Sequence, residues 1–181
     1  MPPLVRSESG YTLVELIVVM ALLSIVLGAL TTLWVSGSNT ELRLNRQFQA
    51  QQTARLALDR VRTDIHCASA ATAGTVSTYQ AVTLAYPASG CSTTTVYWCA
   101  VPSTTMTGRY ALWRSTSAAS TCTSSDTSRQ LEADDLTTSS NVFSTSLVNN
   151  SLERVGVDFP VSVNPTATAD VFELKDSIVV A

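Results

Sequence analysis

The residues with the clearest chemical signature stand near the start of the chain. Gly10-Tyr11-Thr12-Leu13-Val14-Glu15 is followed at once by an apolar run, residues 16–35, that contains no charged side chain. A carboxylate held within an apolar helix at bilayer depth costs roughly 2.5 to 3.5 kcal/mol on insertion scales, and less near the interface. Because placing Glu15 in this helix costs free energy, we expect its carboxylate to have a function.

The elements that position Glu15 follow from the same region. The apolar run is about 20 residues long, which is the length that a helix needs to cross a bilayer core. No proline interrupts residues 11–65, so the sequence predicts one helix of about 55 residues, close to 80 Å long at 1.5 Å per residue. The later part of this helix carries an amphipathic stripe at helical spacing. Its members are Leu44, Phe48, Gln51, Ala54, Leu58, Val61 and Ile65.

Beyond Cys67 the composition shifts to Thr, Ser, Val and Tyr, which is typical of strands. The predicted strands are residues 80–86, 95–101, 109–115, 154–163 and 170–180. In the fourth of these, Val155, Val157, Phe159, Val161 and Val163 alternate onto one face, and Pro160 indicates an edge or a bulge. Residues 115–128 form a Ser/Thr-rich loop.

These elements predict an α+β fold, in which a long N-terminal helix packs its amphipathic half on an antiparallel sheet. Four segments follow from this reading. Residues 1–10 are a leader, 11–38 an apolar transmembrane helix, 39–66 its amphipathic continuation and 67–181 a disulfide-bonded, β-rich head domain.

Four cysteines lie beyond the apolar run, and their number and setting indicate an oxidising location outside the cytoplasm. Their spacings do not match zinc sites. If the strands from Gln80, Thr95 and Arg109 form a meander, Cys91 and Cys122 share one end of it. Cys99 then shares the other end with Cys67. The sequence therefore predicts the disulfides Cys67–Cys99 and Cys91–Cys122.

Charge and composition exclude several classes of function. Residues 67–181 contain nine acidic and five basic side chains, so nucleic acid is not expected as a partner. The only histidine, His66, directly precedes Cys67, and no G-x-S-x-G motif occurs, so catalysis is not expected. Glu132, Asp134 and Asp135 could hold calcium, but a solvated loop is favoured. No metal or cofactor is predicted.

The N-terminal motif resembles the prepilin-type N-terminus of type IV pilins and type II secretion pseudopilins. A secretory signal would instead have a basic start, a shorter apolar core and a small-x-small cleavage site. The resemblance implies that a membrane prepilin peptidase cuts after Gly10 and methylates the new amine of Tyr11. It also implies that Glu15, at the fifth mature position, sets the register between subunits. Thr32 stands where family members often carry a proline.

The resemblance further implies the partners and the location. These are prepilin peptidase, other pilins or pseudopilins in a helical filament, and the inner or cytoplasmic membrane before assembly, with the head domain outside the cytoplasm. Residues 51–65, 109–114 and 129–135 are similar to minor pilins of the PilW and pseudopilin J group. Two alternatives stay open: a pilus-tip adhesin that binds through residues 115–128, and an anchored envelope protein unrelated to pili.

Overall fold

A computed structural model describes residues 10–76, 79–87, 91, 94–117, 127–148, 152–163 and 171–180. The chain divides into two compact units, one ending at Leu44 and the other spanning Asn45 to Ala181. The second unit contains the whole β-sheet.

Helix α1 spans Leu13–Cys67 without a break, as the absence of proline predicts. Within the second unit, one stripe of α1 is buried against the sheet. The stripe consists of Ala50, Ala54, Ala57, Leu58, Val61 and Ile65. Two members of the predicted stripe are wrong, because Leu44 and Phe48 are 60 % and 58 % exposed. Ala50 and Ala57 are buried members that the predicted stripe lacked, because the small side chain of alanine gives only a weak hydrophobic signal.

Eight strands follow the helix, and all of the pairings between them are antiparallel in the part of the chain that the structure describes. Their bounds are β1 Ala70–Val76, β2 Tyr79–Ala85, β3 Val96–Pro102, β4 Tyr110–Ser115, β5 Gln130–Leu136, β6 Phe143–Val148, β7 Leu152–Val161 and β8 Phe172–Val179. The predicted α+β architecture is thus confirmed: one long N-terminal helix packs on an antiparallel sheet.

The strand order is β1-β2-β3-β4-β5-β7-β6, with β8 paired to β7. The sheet curls, so that β1 approaches β6 and β7. Pro160 lies in β7 between its pairing with β6, which ends at Val157, and its bridge to β5 at Val161. Proline has no N–H to donate, so it fits where β7 exchanges one neighbour for the other.

The core lies between α1 and the inner face of the sheet. The alternation predicted for β7 is confirmed, since Val155, Val157, Phe159 and Val161 are all buried. Trp98 is fully buried in this core. A smaller cluster consists of Ala81, Cys99 and Val101, with partly buried Trp113 among its neighbours. Its residues alternate with those of the main core along β2 and β3, so it lies on the opposite face of the sheet.

Three polar contacts fix α1 on the sheet. Asp64 accepts hydrogen bonds from Trp98 Nε1 (2.9 Å) and Arg114 Nε (2.8 Å). On one flank of the helix Arg60 pairs with Glu132 of β5 at 2.6 Å. On the other flank Arg62 pairs with Asp176 of β8 at 2.6 Å.

The predicted disulfide pairing is wrong. Cys67, the last residue of α1, is bonded to Cys91 in the β2–β3 connection, which excludes both Cys67–Cys99 and Cys91–Cys122. Cys99 also forms a disulfide, and Cys122 lies outside the described residues. The physical reason is strand β1, which the sequence did not reveal. Because β1 and β2 form a hairpin, the end of β2 returns to the start of β1, where the Ser69 N–H donates to the Ala85 carbonyl oxygen.

Candidate functional site

The N-terminal motif lies at a capped helix start. Thr12 directly precedes α1, and its Oγ1 accepts a hydrogen bond from the backbone N–H of Glu15 at 3.3 Å. The carbonyl oxygen of Thr12 accepts the first helical bond, from the N–H of Leu16 at 3.2 Å. These two bonds define Thr12 as the N-cap residue. Thr12-Leu13-Val14-Glu15 also has the Thr-x-x-Glu spacing of a capping box, which is the signal in the sequence that marks this helix start.

Glu15 therefore stands in the first turn of the helix. Unpaired N–H groups give this end of a helix a partial positive charge, so a carboxylate is favourable there. This offsets part of the cost of an acid in an apolar segment. Glu15 forms no ion pair with any residue that the structure describes, and its side chain borders an open groove shared with Tyr11, Leu16 and Val19.

Gly10 and Tyr11 precede the cap and are both exposed, Tyr11 to 83 %. A Cβ atom added to Gly10 would meet no atom of the described residues within 4 Å. Packing within the described part of the chain therefore gives no reason for glycine at this position, and a requirement for a small residue there would come from another molecule.

The apolar run that follows is a continuous exposed surface. Each large hydrophobic side chain between Leu16 and Val35 is between 50 % and 81 % exposed. Within the described residues, α1 is the one helix long and apolar enough to span a membrane, and none of its most apolar stretch is buried inside the protein. An ordinary core helix would bury these side chains, so this surface requires an apolar partner outside the chain.

The three acids considered for calcium, Glu132, Asp134 and Asp135, lie in strand β5 rather than in a solvated loop. Glu132 is engaged by Arg60, and Asp134 Oδ2 accepts hydrogen bonds from Ser103 Oγ (3.1 Å) and Thr105 Oγ1 (2.6 Å) in the β3–β4 turn. No group of three metal-ligating side chains occurs among the residues that the structure covers. Asp134 therefore orders a turn in this structure.

Asp135 is a buried acid in the left-handed region, with φ at 70°. Burial raises the pKa of Asp135 and the Asp134 carboxylate raises it further, whereas Arg109 opposes both effects. Burial in turn lowers the pKa of Arg109, and Asp135 opposes that shift. These two residues accompany the irregular pairing of β4 with β5, and they lie far along the chain from the N-terminal motif.

The comparisons with known proteins agree with the N-terminal geometry. Residues 5–31 match a sequence family described as the prokaryotic N-terminal methylation motif. The comparisons with curated proteins and with solved structures gave no significant match. The matched segment contains Gly10, Tyr11 and Glu15, and such a motif is typical of type IV pilin-like proteins that prepilin peptidase processes. Such proteins are structural subunits that assemble with other pilins.

Proposed function

We propose that this protein is a minor pilin or pseudopilin, a subunit that helps to assemble a type IV pilus-like or type II secretion filament. The observation that carries the proposal is the placement of the motif. Gly10 and Tyr11 lie exposed just before the Thr12 cap, and Glu15 stands in the first turn of a helix whose apolar surface is unpartnered.

In this proposal prepilin peptidase cuts between Gly10 and Tyr11 and methylates the amine of Tyr11. The cut leaves the Thr12 cap intact, so the mature helix still begins at Leu13. It also creates a cation beside the start of an apolar helix. A carboxylate buried in the filament is tolerable when it meets a buried cation. Glu15, which has no ion partner among the described residues, is the group that meets the amine of a neighbouring subunit.

The two units of the chain have different roles in this proposal. The exposed apolar half of α1 first holds the subunit in the inner or cytoplasmic membrane and then packs with neighbouring helices in the filament core. The β-rich unit forms the head, and its disulfide-bonded cysteines favour a location outside the cytoplasm.

Intact-mass spectrometry of the native protein from envelope fractions tests this proposal. The expected species begins at Tyr11 and carries one methyl group on its amine. Gly10→Val is the matched control, because the added side chain meets nothing in the chain itself and should block only the peptidase. A native protein that retains Met1, or a Gly10→Val variant that is processed normally, would contradict the proposal.

A further inference from the structure

Trp34 is an unusual residue at the far end of the exposed apolar run. Its side chain is 81 % exposed, and its indole N–H has no hydrogen-bond partner in the described part of the chain. It lies on an open groove of α1 whose other lining residues are Leu30, Leu33, Gly37, Ser38 and Glu41. The groove is apolar on the N-terminal side of Trp34 and polar on the other side.

The position of Trp34 along α1 matches the thickness of a membrane. At 1.5 Å per residue, the helix rises about 32 Å from Leu13 to Trp34, and the hydrocarbon core of a bilayer is about 30 Å thick. Within that interval Glu15 is the single charged residue, and it lies in the first turn. Beyond Trp34 the sequence becomes polar with residues 36–40, and charges follow at Glu41 and Arg43.

Aromatic side chains also mark both ends of this interval. Tyr11 stands just before the helix, and it and Trp34 are the most exposed large hydrophobic residues described. Tyr and Trp concentrate at the two membrane interfaces, because a ring can stay in the apolar layer while its polar atom reaches water or a headgroup. The unpaired indole N–H of Trp34 would be unsatisfied in hydrocarbon and satisfied at a headgroup.

We propose that, before assembly, Trp34 lies at the phospholipid headgroup level and fixes the depth of α1 in the bilayer. The occupant of the groove beside Trp34, Gly37 and Ser38 is then the interfacial region of a phospholipid leaflet. With Trp34 at one interface, the Gly10–Tyr11 bond lies at the opposite one. Trp34 is thus a positioning residue for processing, an inference that rests on the proposed membrane-anchored function.

Depth-dependent quenching tests the proposal with the full chain in phosphatidylcholine vesicles whose acyl chains are brominated either near the headgroup or near the bilayer centre. The contribution of Trp34 is the difference between the parent and a Trp34→Phe variant, because the two tryptophans of the head, fully buried Trp98 and partly buried Trp113, are present in both. We expect shallow bromines to quench this contribution more strongly than deep ones. Leu23→Trp in the Trp34→Phe background, near the middle of the span, is the matched control and should show the reverse order.

Stronger quenching of Trp34 by the deep bromines, or equally weak quenching at both depths, would overturn the assignment. Flotation of the same vesicles distinguishes failure of the membrane anchor from failure of the role proposed for Trp34. Protein that does not float with lipid argues against the membrane anchor itself, whereas protein that floats but shows the wrong quenching order rejects only the role of Trp34. Native N-terminal mass reports on processing independently of either result.

Discussion

At the scale of single residues, Asp64 is the least exposed of the three polar helix side chains that tie α1 to the sheet. Its carboxylate accepts hydrogen bonds from Trp98 and Arg114, and the paired side chains of Arg114 and Asp64 are only 24 % and 17 % exposed. Such a group is costly to remove, because its partners stay buried without an acceptor. Asp64 lies next to Ile65 of the buried stripe, and nothing in the helical periodicity of the sequence marks it as a partly buried hydrogen-bond acceptor.

Asp64→Ala should therefore lower the free energy of unfolding by about 2 to 3 kcal/mol, less than for a fully buried pair since both groups retain some solvent. Urea unfolding of the full chain in detergent measures this change. Asp59→Ala is the matched control on the exposed side of α1, where the Asp59 side chain is 66 % exposed, and it should cost under about 0.5 kcal/mol. Equal effects of the two variants would show that the Asp64 contacts are not stabilising.

Tyr86 gives the same region a dependence on alkaline pH. Burial raises the pKa of Tyr86 to about 12 and the nearby Asp64 carboxylate adds to the shift, whereas Arg114 opposes it. Below pH 10 the phenol is protonated in both the folded and the unfolded chain, so its stabilising contribution is complete. Between pH 10 and about 12 only the unfolded chain loses this proton, so stability falls as pH rises.

The Tyr86→Phe variant should lose this component of the alkaline slope. The measurement is the free energy of unfolding of parent and variant at several pH values from 8 to 12, each at about the same ionic strength. The plots of unfolding free energy against pH for parent and variant should run parallel below pH 10 and diverge above it. Parallel curves across the whole range would refute a role for Tyr86 in the pH dependence.

At the scale of elements, the sequence predicted the helix and those strands whose hydrophobic periodicity is clear. The unbroken helix, the buried face of β7 and the strands β2, β3, β4 and β8 were recognisable from hydrophobic spacing. Strands β1, β5 and β6 were not. β1 is made largely of alanine, glycine and threonine, and β5 contains three acids whose charges are met by Arg60, turn hydroxyls and Arg109. The small residues of β1 and the internally paired acids of β5 leave no local hydrophobic alternation, so the sequence did not reveal these two strands.

The missing β1 explains the wrong disulfide assignment and leads to a prediction about the Cys67–Cys91 bond. This bond ties the end of α1 to the β2–β3 connection across 24 residues of sequence. Closing a loop of that length stabilises by about 3 to 4 kcal/mol in the chain-entropy estimate. The Cys67→Ser/Cys91→Ser double variant should lose stability of that order, as measured by urea unfolding of the full chain.

Non-reducing peptide mapping provides the independent control for this prediction. The parent should yield a peptide pair joined through Cys67 and Cys91, and the double variant should retain the disulfide of Cys99. A mapped Cys67–Cys99 pair would contradict the arrangement of the β1–β2 hairpin beside the helix end.

At the scale of the whole molecule, the two units have different sources of stability. Residues of the second unit bury a shared core and are further held by a disulfide. The apolar side chains of the first unit bury nothing within the chain, so their stabilisation has to come from lipid or from other subunits. The motif that indicated the class of protein lies entirely in this first unit, which is why the function could be inferred without an accurate prediction of the head.

Because the two units have separate sources of stability, a substitution at Glu15 should leave the fold of the head unchanged. Glu15→Ala removes an acid from the exposed apolar helix, so membrane insertion should be unchanged or improved, and cleavage after Gly10 should continue. Incorporation into filaments should fall, because the amine of a neighbouring Tyr11 would then have no carboxylate partner in the filament core. Quantitative immunoblotting of sheared filaments against whole cells measures incorporation.

Glu41→Ala, which removes an acid beyond the apolar run, is the matched control and should incorporate normally. Normal incorporation of Glu15→Ala would show that Glu15 takes no part in the contacts between subunits.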